Sequence, residues 1–224
     1  MLLIIQARMS SVRLPGKVLM NISGRPMLER VCDRVLQSSG VKKVVIATSN
    51  HSSDDPIEQF CRLRNFSYFR GALDDVAGRF LSVIQREGAE EFIRISADSP
   101  LIDPKLIDKA VEEYRRENYD LVTNVLHRTF PKGQSVEIIR STSYKRMCCD
   151  LIDLDDREHV TKAFYRNSSA YKIKNFSAEL QAGEYQLSVD TLEDFERIST
   201  IVNLSSGKDD GWLDFVKLID KFDL

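Results

Sequence analysis

Three cations crowd into a short segment that follows the first apolar run of the chain. Arg8, Arg13 and Lys17 lie in residues 7–17, here called the cationic loop, and a proline and a glycine come just before the lysine. Like charges at this spacing repel each other and need either solvent or a polyanion. Arginine offers a planar fork to phosphate oxygens, lysine a mobile point charge, and a turn with serine and glycine presents backbone N–H groups. The loop therefore indicates a triphosphate site, with a solvated basic loop as the alternative.

Two aspartates stand at the ends of predicted strands with no evident structural duty. Asp98 ends "EFIRISAD", and Asp103 already serves as the cap of the helix that follows. Asp190 ends "YQLSVD", where Thr191 is the predicted N-cap and Asp194 its capping-box partner. Mg²⁺ takes one or two carboxylates together with phosphate oxygens and water. The pair suits a magnesium site, and two surface carboxylates are the alternative.

Composition limits the classes of function that fit the chain. Its 224 residues, 42% hydrophobic and 29% charged, suit one globular domain with a sizeable core. A net charge of −2 gives no general attraction to nucleic acid or anionic membranes, so anion binding must be local. Four cysteines without a C-x-x-C pair predict reduced thiols. No apolar run approaches the ~20 residues of a membrane span. We predict a cytoplasmic protein that binds neither membrane nor nucleic acid.

Short apolar strands alternate with amphipathic helices through the first half of the chain. The predicted strands are "LLIIQA", "KKVVIATSN", "FSYFRG" and "EFIRISAD". The first helix follows Pro26 and is predicted to end at Gly40, and the second is predicted to begin at Asp55 as N-cap with Pro56 next. This alternation predicts a mainly parallel sheet with helices on both faces.

The second half of the chain does not continue this alternation of strands and helices. "FPKGQSVEIIR" is predicted as a loop entering a strand, and "SYKRMCCDLI" and "DREHVTKAFYRN" as helices. "AYKIKNF" and "YQLSVD" are predicted as strands, followed by helices at 191–203 and 212–222. The pattern favours one continuous domain with a mixed second half.

The cationic loop also carries a resemblance to a known family. "QARMSSVRLPGKVL" resembles the opening motif of the cytidylyltransferases that activate sugar acids, the CMP-sialic acid and CMP-KDO synthetases, and is most similar to the spore coat polysaccharide biosynthesis protein F group. The resemblance continues in order through "VVIATSN", "DDPI", "FRGALDDVAGRF", "RISADSPLIDP", "REHVT", "KIKNF" and "LSVDTLEDF". It implies a three-layer α/β/α nucleotidyltransferase fold, GT-A-like and Rossmann-like, with a mixed, mainly parallel central sheet.

The resemblance also implies roles for the residues already singled out. CTP would lie over the cationic loop, with Mg²⁺ as cofactor and Ala7 offering its backbone to the base or ribose. The three cations would hold the phosphates, and Arg8 and Lys17 would be catalytic by stabilising the transition state. The family's metal-binding aspartates fall at Asp98 and Asp190.

Further substrate contacts are predicted on neighbouring segments. Thr48 and Asn50 lie at the end of the second predicted strand and would bond the base edge or ribose, or else only close the strand. Arg70 falls in a stretch that matches the family, and an ion pair with a nearby aspartate is the alternative. His159 would touch the acceptor or its leaving proton, unless it is a structural helix-start residue.

One departure from the family bears on the acceptor. The resemblance leads us to expect an aspartate in the "GQSVE" segment, where this chain has Ser135, whereas Glu137 is retained. This segment is expected near the acceptor, so Glu137 is a predicted substrate contact and Ser135 leaves the acceptor's identity open.

The predicted reaction is transfer of CMP from CTP to a sugar acid or related anionic carbohydrate, with release of pyrophosphate, in surface polysaccharide biosynthesis. One alternative is a nucleotidyltransferase that uses another NTP and a sugar phosphate. Another is a glycosyltransferase, for which Asp153–Asp155 spells D-x-D but follows a segment predicted to be helical. The last is a non-catalytic nucleotide-binding module.

We predict a single domain over 1–224 with three parts. Residues 1–125 are the predicted nucleotide-binding half, 126–190 the acceptor and dimerisation half, and 191–224 the C-terminal helices. Relatives are often homodimers, and the region around 130–180 is the predicted interface.

Overall fold

The computed structural model describes residues 1–151, 154–205, 207 and 210–224. Its strands are β1 (Leu2–Gln6), β2 (Asn21–Ile22), β3 (Arg25–Pro26), β4 (Lys43–Ser49), β5 (Tyr68–Gly71), β6 (Glu91–Ser96), β7 (Leu121–Thr123), β8 (Glu137–Arg140) and β9 (Ile173–Asn175). Its helices are α1 (Met27–Val35), α2 (Asp55–Arg64), α3 (Val76–Glu87), α4 (Pro104–Arg116), α5 (Ser141–Cys149), α6 (Leu154–Glu158), α7 (Lys162–Arg166), α8 (Leu192–Leu204) and α9 (Trp212–Phe222).

A seven-stranded sheet runs through the molecule in the order β5-β4-β1-β6-β8-β7-β9. Strands β5, β4, β1 and β6 pair in parallel, and β8 is antiparallel to both of its neighbours. Strand β9 is again parallel to β7, so β8 alone runs against the common direction of this sheet. The mixed, mainly parallel sheet is confirmed.

Both faces of the sheet are buried, as the apolar run of β1 predicts. Leu3 and Ile5 pack into a core with α1, α2, α4, α8 and α9 on one face. Leu2 and Ile4 pack into a second core with α3, α5 and α7 on the other. Side chains alternate across a strand, so one five-residue segment contributes to both cores. The three-layer α/β/α architecture is confirmed.

Two predicted helix boundaries are wrong, each because of a competing hydrogen bond. Helix α1 ends at Val35 rather than at Gly40, whose N–H donates to Asp108 Oδ1 at 3.0 Å in a turn beyond the helix. Helix α2 begins at Asp55, which is its first residue rather than its N-cap. Asp54 occupies the cap position, and its carboxylate bonds the β4 end and the cationic loop instead.

The predicted strand "YQLSVD" is also wrong. The segment forms a single β-bridge between Lys132 and Gln186, and Leu187 N–H donates to Lys132 O at 2.8 Å. Val189 N–H then donates to Asp98 O at 2.8 Å. The segment changes partners between two loops, so no continuous ladder forms. The hydrogen bond between Val189 and Asp98 nevertheless brings the next residue, Asp190, beside Asp98.

The second half contains short helices where longer ones were expected. The segment "DREHVTKAFYRN" forms α6 and α7, each five residues long. Of the D-x-D letters, Asp153 lies outside the described residues, and Leu154 begins α6 rather than following a strand. Among the helices in the described part of the chain, none is long and apolar enough to cross a membrane.

Gly133 packs closely against the backbone of the segment that leads to Asp190. Its φ is +89°, and an added Cβ would lie 2.5 Å from the carbonyl carbon and oxygen of Leu187. Gly24 has a similar φ of +85° but nothing within 4 Å of an added Cβ.

We expect Gly24→Ala to lower the free energy of unfolding by about 1 kcal/mol, the usual cost of left-handed backbone. Gly133→Ala should lower it by roughly 1–3 kcal/mol more, because backbone must move. Urea unfolding followed by circular dichroism measures both, and equal losses would contradict the close packing.

Candidate active site

A cleft of about 320 Å³ opens at the carboxyl ends of β1 and β6. This is the edge at which open α/β sheets bind ligands. The cleft is lined by Gln6, Arg8, Ser11, Val12, Arg13, Lys17, Val18, Ser96, Ala97, Asp98 and Asp190. The structure therefore brings together the three predicted phosphate-binding cations and both predicted metal-binding aspartates.

Lys17 lies at the base of the cleft between the two aspartates. Only 7% of the residue is exposed. Its ammonium donates to Val189 O at 2.6 Å and to Asp190 Oδ1 at 3.1 Å, and lies 3.6 Å from Asp98 Oδ2. Two carboxylates from distant parts of the chain thus converge on one cation.

The other two cations also have carboxylate partners within the chain. Arg13, at the exposed mouth of the cleft, lies 2.9 Å from Asp190 Oδ1. Arg8 lies 2.8 Å from Oε1 of Glu158, at the end of α6. The repulsion expected from the sequence is offset by carboxylates of the chain itself. Exposed ion pairs contribute little stability, so a polyanion can replace them at small cost.

The cationic loop is shaped by a left-handed glycine and local hydrogen bonds. Gly16 has a φ of +76°, which a residue with a Cβ atom rarely adopts. The N–H groups of Gly16 and Ser11 donate to Met9 O at 2.8 Å and 2.9 Å. A short 3₁₀ turn begins directly after Gly16 with Lys17. The turn carries the lysine from the loop surface into the base of the cleft.

A buried carboxylate, Asp54, anchors this loop to the neighbouring strand. One oxygen accepts from Met9 N–H at 2.8 Å, and the other from the N–H and hydroxyl of Ser49 and the hydroxyl of Thr48. Burial alone would raise the pKa of Asp54, but hydrogen bonds from Ser49, Met9 and Thr48 outweigh it and lower the pKa. Asp54 therefore stays ionised and holds the cationic loop against the end of β4; this contact is called the Asp54 tether.

Two predicted substrate contacts support this tether instead of lining the cleft. Thr48 is fully buried, and its hydroxyl donates to Asp54 at 3.1 Å. Arg70 donates to Ser49 O at 2.8 Å and forms an ion pair with Glu58. Both side chains are committed to other partners, and neither belongs to the cleft lining. Their role in substrate binding stays a prediction.

Ala7 and Asn50 lie at the same edge of the sheet, also outside the cleft lining. Ala7 is buried, and its N–H donates to Ala47 O at 3.1 Å, extending the pairing of β1 with β4. Asn50 is exposed just beyond β4, and its N–H donates to Gly71 O at 2.7 Å. Their predicted contacts with a base or ribose remain predictions.

Glu137 and His159 lie on the side of the cleft that faces the second half of the chain. Glu137 is buried, and its two oxygens accept from Arg94 and the hydroxyl of Tyr165. Arg94 also donates to Gln6 Oε1 at 3.3 Å, and Gln6 lines the cleft. His159 is exposed directly after α6. Glu137 is thus connected to the cleft through Arg94 and Gln6, whereas His159 is not among the residues that line the cleft.

Three residues of this region were missed by the sequence reasoning. Glu158 precedes the predicted His159 in "REHVT", but nothing local indicates that it pairs with Arg8. Gln6 is the one polar residue in the first apolar run, which was a usable signal. Asp54 stands beside Asp55, which was predicted to be the helix cap, and was itself given no role.

The metal-binding potential of the cleft rests on two carboxylates. Among the residues that the structure describes, no group of three or more histidine, cysteine, aspartate or glutamate side chains converges on a common point. The donor set of Asp98 and Asp190 fits Mg²⁺, which completes its shell with phosphate oxygens and water.

The chain is similar to known proteins over most of its length. A family model described as cytidylyltransferase matches residues 2–210. The spore coat polysaccharide biosynthesis protein SpsF of Bacillus subtilis is 33% identical over 223 residues, which cover 93% of this chain and 89% of that protein. The 3-deoxy-manno-octulosonate cytidylyltransferase of Geobacter sulfurreducens is 38% identical over 110 residues, which cover 48% of this chain and 42% of that protein.

A solved structure gives the same assignment. A cytidylyltransferase from Leptospira borgpetersenii serovar Hardjo-bovis superposes with a TM-score of 0.94 at 28% identity, covering 99% of this chain and 94% of that one. The family model includes both the cationic loop at one end of the chain and Asp190 near the other. The chain belongs to the cytidylyltransferase family and is a nucleotidyltransferase enzyme.

Proposed function

We propose that the protein transfers CMP from CTP to a sugar acid or related anionic carbohydrate, releasing pyrophosphate, in surface polysaccharide biosynthesis. The observation that carries this proposal is the convergence of three cations and two aspartates in one cleft at the carboxyl edge of the sheet. The names of two relatives, a spore coat polysaccharide biosynthesis protein and a sugar-acid cytidylyltransferase, support the carbohydrate acceptor.

In the proposed reaction, an acceptor oxygen attacks the α-phosphorus of CTP. A new P–O bond forms as the bond to the bridging oxygen breaks, and pyrophosphate leaves with the electron pair. Little covalent chemistry falls to the protein, so catalysis depends on positioning and on stabilising charge. Lys17, held at the base of the cleft, and Arg8 are the groups we assign to the charge on the reacting phosphate. Arg13, at the mouth, is assigned to the outer phosphates.

Asp98 and Asp190 are the residues that would hold Mg²⁺. Their carboxylates already share one cation, the Lys17 ammonium, so they lie close enough to share another. When bound, the ion would neutralise phosphate charge and favour departure of pyrophosphate. We further propose that the protein forms a homodimer, with an interface around residues 130–180.

A pyrophosphate-release assay tests the reaction and the choice of base. Purified protein is given Mg²⁺, each of CTP, GTP, UTP and ATP, and a panel of sugar acids that includes 3-deoxy-manno-octulosonate, with sugar phosphates as a second panel. We expect release with CTP and a sugar acid. Asp98→Asn should lower kcat by on the order of 10²–10³, the usual loss when one transition-state contact is removed.

Asp33→Asn is the matched control, because Asp33 is a carboxylate of α1 that pairs with Arg25 away from the cleft. It should retain full activity. Release that requires another NTP and a sugar phosphate would reject the proposed substrates. Undiminished activity of Asp98→Asn would reject the assigned site.

The Arg8–Glu158 ion pair generates a second prediction. The Glu158 carboxylate pairs with the guanidinium of Arg8, which we assign to phosphate binding. This carboxylate therefore competes with the nucleotide for Arg8. Glu158→Gln should tighten CTP binding about two- to fivefold, the range set by a partly exposed ion pair. Titration calorimetry with CTP and Mg²⁺, without acceptor, measures the change, which should shrink as salt is raised.

Glu112→Gln provides the same change in net charge on the exposed side of α4. It should leave CTP affinity unchanged. An equal gain in both variants would assign the effect to overall charge, and weaker binding by Glu158→Gln would show that this carboxylate helps to bind the nucleotide.

A further inference from the structure

Besides the cleft, a cavity of about 310 Å³ lies on the side of the sheet that carries α1, α8 and α9. It shares no lining residue with the cleft. Three arginines line it: Arg25 of β3, and Arg30 and Arg34 of α1. Asp33 is the one carboxylate among the described residues of its lining, which therefore carries a net charge of +2. It is called the arginine cavity below.

Arg34 is the most buried of the three arginines, with only 8% of the residue exposed. Its Nε and Nη2 atoms donate to the carbonyl oxygens of Ile102 and Asp210, which are neutral acceptors. Burial lowers the pKa of Arg34, and the charges of Asp103 and Asp210 oppose this shift. An arginine stays protonated in proteins, so this buried group keeps its positive charge.

Arg30 is also held by backbone oxygens. Its Nε and Nη2 atoms donate to Ile22 O at 2.8 Å and 2.6 Å, and Nη2 donates also to Ser23 O at 3.1 Å. Burial and the neighbouring cation of Arg25 lower the pKa of Arg30, and two nearby carboxylates oppose this. In the part of the chain that the structure describes, no carboxylate lies within 4 Å of the guanidinium of Arg30 or Arg34.

The carboxylates nearest to the cavity are bound to other groups. Asp33 lies 2.6 Å from Arg25 in an ion pair that is partly exposed. Asp210 accepts from the hydroxyl of Ser205 at 2.6 Å, and Asp103 caps the start of α4. A buried or half-buried cation normally has an anionic partner, because its desolvation is costly. Two of the arginines that line the cavity lack such a partner among the described residues.

The charge and the walls of the cavity indicate the class of ligand. A phosphate monoester carries about −1.5 to −2 near neutral pH, which matches the net charge of the lining, whereas one carboxylate would balance only half of it. Guanidinium groups bind phosphate oxygens through paired hydrogen bonds. Other walls are formed by the apolar side chains of Leu101, Val202 and Phe215, which suit an organic group.

The cavity adjoins the two segments that bring the aspartates to the cleft. Leu101 of the cavity wall follows Asp98 by three residues. Val202 belongs to α8, whose N-cap is the residue directly after Asp190. An occupant of the cavity would therefore contact both segments without entering the cleft.

We propose that the arginine cavity binds a phosphate monoester of a small organic molecule, with Arg25, Arg30 and Arg34 around the phosphate. The phosphate would supply the countercharge that the lining lacks, and the organic group would lie against Leu101 and Val202. The site is separate from the cleft, so this inference does not depend on the proposed reaction.

Calorimetry with phenyl phosphate, in the absence of nucleotide and Mg²⁺, tests the site at about pH 7.5, where the phosphate is mostly a dianion. We expect the unmodified protein to bind it more tightly than benzoate or inorganic phosphate, because each of these lacks half of the recognised chemistry. Arg30→Gln should weaken binding about tenfold or more, as expected for loss of a hydrogen bond to a charged group. Arg25→Gln should weaken it by a smaller factor, roughly two- to fivefold, because Arg25 is exposed.

Two further variants separate this site from general charge and from the cleft. Arg116→Gln removes an exposed arginine that pairs with Glu113 on α4, and should leave phenyl phosphate binding unchanged. Arg13→Gln removes a cleft cation and should weaken CTP binding while sparing phenyl phosphate. Circular dichroism checks the fold of each variant, and Arg25→Gln decides the test if Arg30→Gln does not fold.

The site is rejected if the unmodified protein does not bind phenyl phosphate, or if Arg25→Gln and Arg30→Gln bind it equally well. Equal affinity for benzoate would reject a phosphate ligand, and equal affinity for inorganic phosphate would reject an organic one. Loss of phenyl phosphate binding in Arg13→Gln would place the ligand in the cleft and reject the cavity. Absence of CTP binding, with phenyl phosphate still bound in an Arg30-dependent way, would reject only the proposed reaction.

Discussion

The buried ammonium of Lys17 is the contact on which the rest of the site depends. It joins the cationic loop to Val189 and Asp190, more than 170 residues further along the chain, and also lies beside Asp98. A lysine with little exposure to water requires such partners. The Val189–Asp98 backbone bond and the close approach at Gly133 bring those partners to it. The ammonium therefore links the cationic loop to two segments that are distant from it in the sequence.

Charge balance explains how so polar a cleft is stable without a ligand. Three cations meet three carboxylates, of which two come from the cleft itself and one from α6. Most of these pairs are partly exposed and individually weak. The cleft can therefore exchange its internal partners for those of a bound polyanion without a large change in fold stability.

Local sequence pattern predicted the fold better than it predicted the contacts. The alternation of apolar strands and amphipathic helices is a local signal, and the sheet and both helical layers follow from it. The cations and Asp98 were also predicted, because strand ends in a parallel sheet share one edge. Asp190 lies in the same cleft although the strand predicted before it does not form. The contact of Glu158 with Arg8 and that of Asp54 with Met9 were not predicted, since these partners are 150 and 45 residues apart. The segment before Asp190 was predicted as a strand because alternation indicates extended backbone but not whether a ladder partner exists.

Strand β8 runs against its neighbours, and this reversal affects how the family can diversify. A parallel connection would have to cross the molecule and return, whereas the loop 124–136 both leaves β7 and enters β8 at the edge where the cleft opens. Within this loop, Lys132 and Gly133 hold the segment before Asp190, and Gln134 bonds the start of α4, so changes there would move the cleft and a core helix. Sequence variation in this connection is therefore tolerated best in its earlier part, around the exposed His127, and this restricts where the family can diversify.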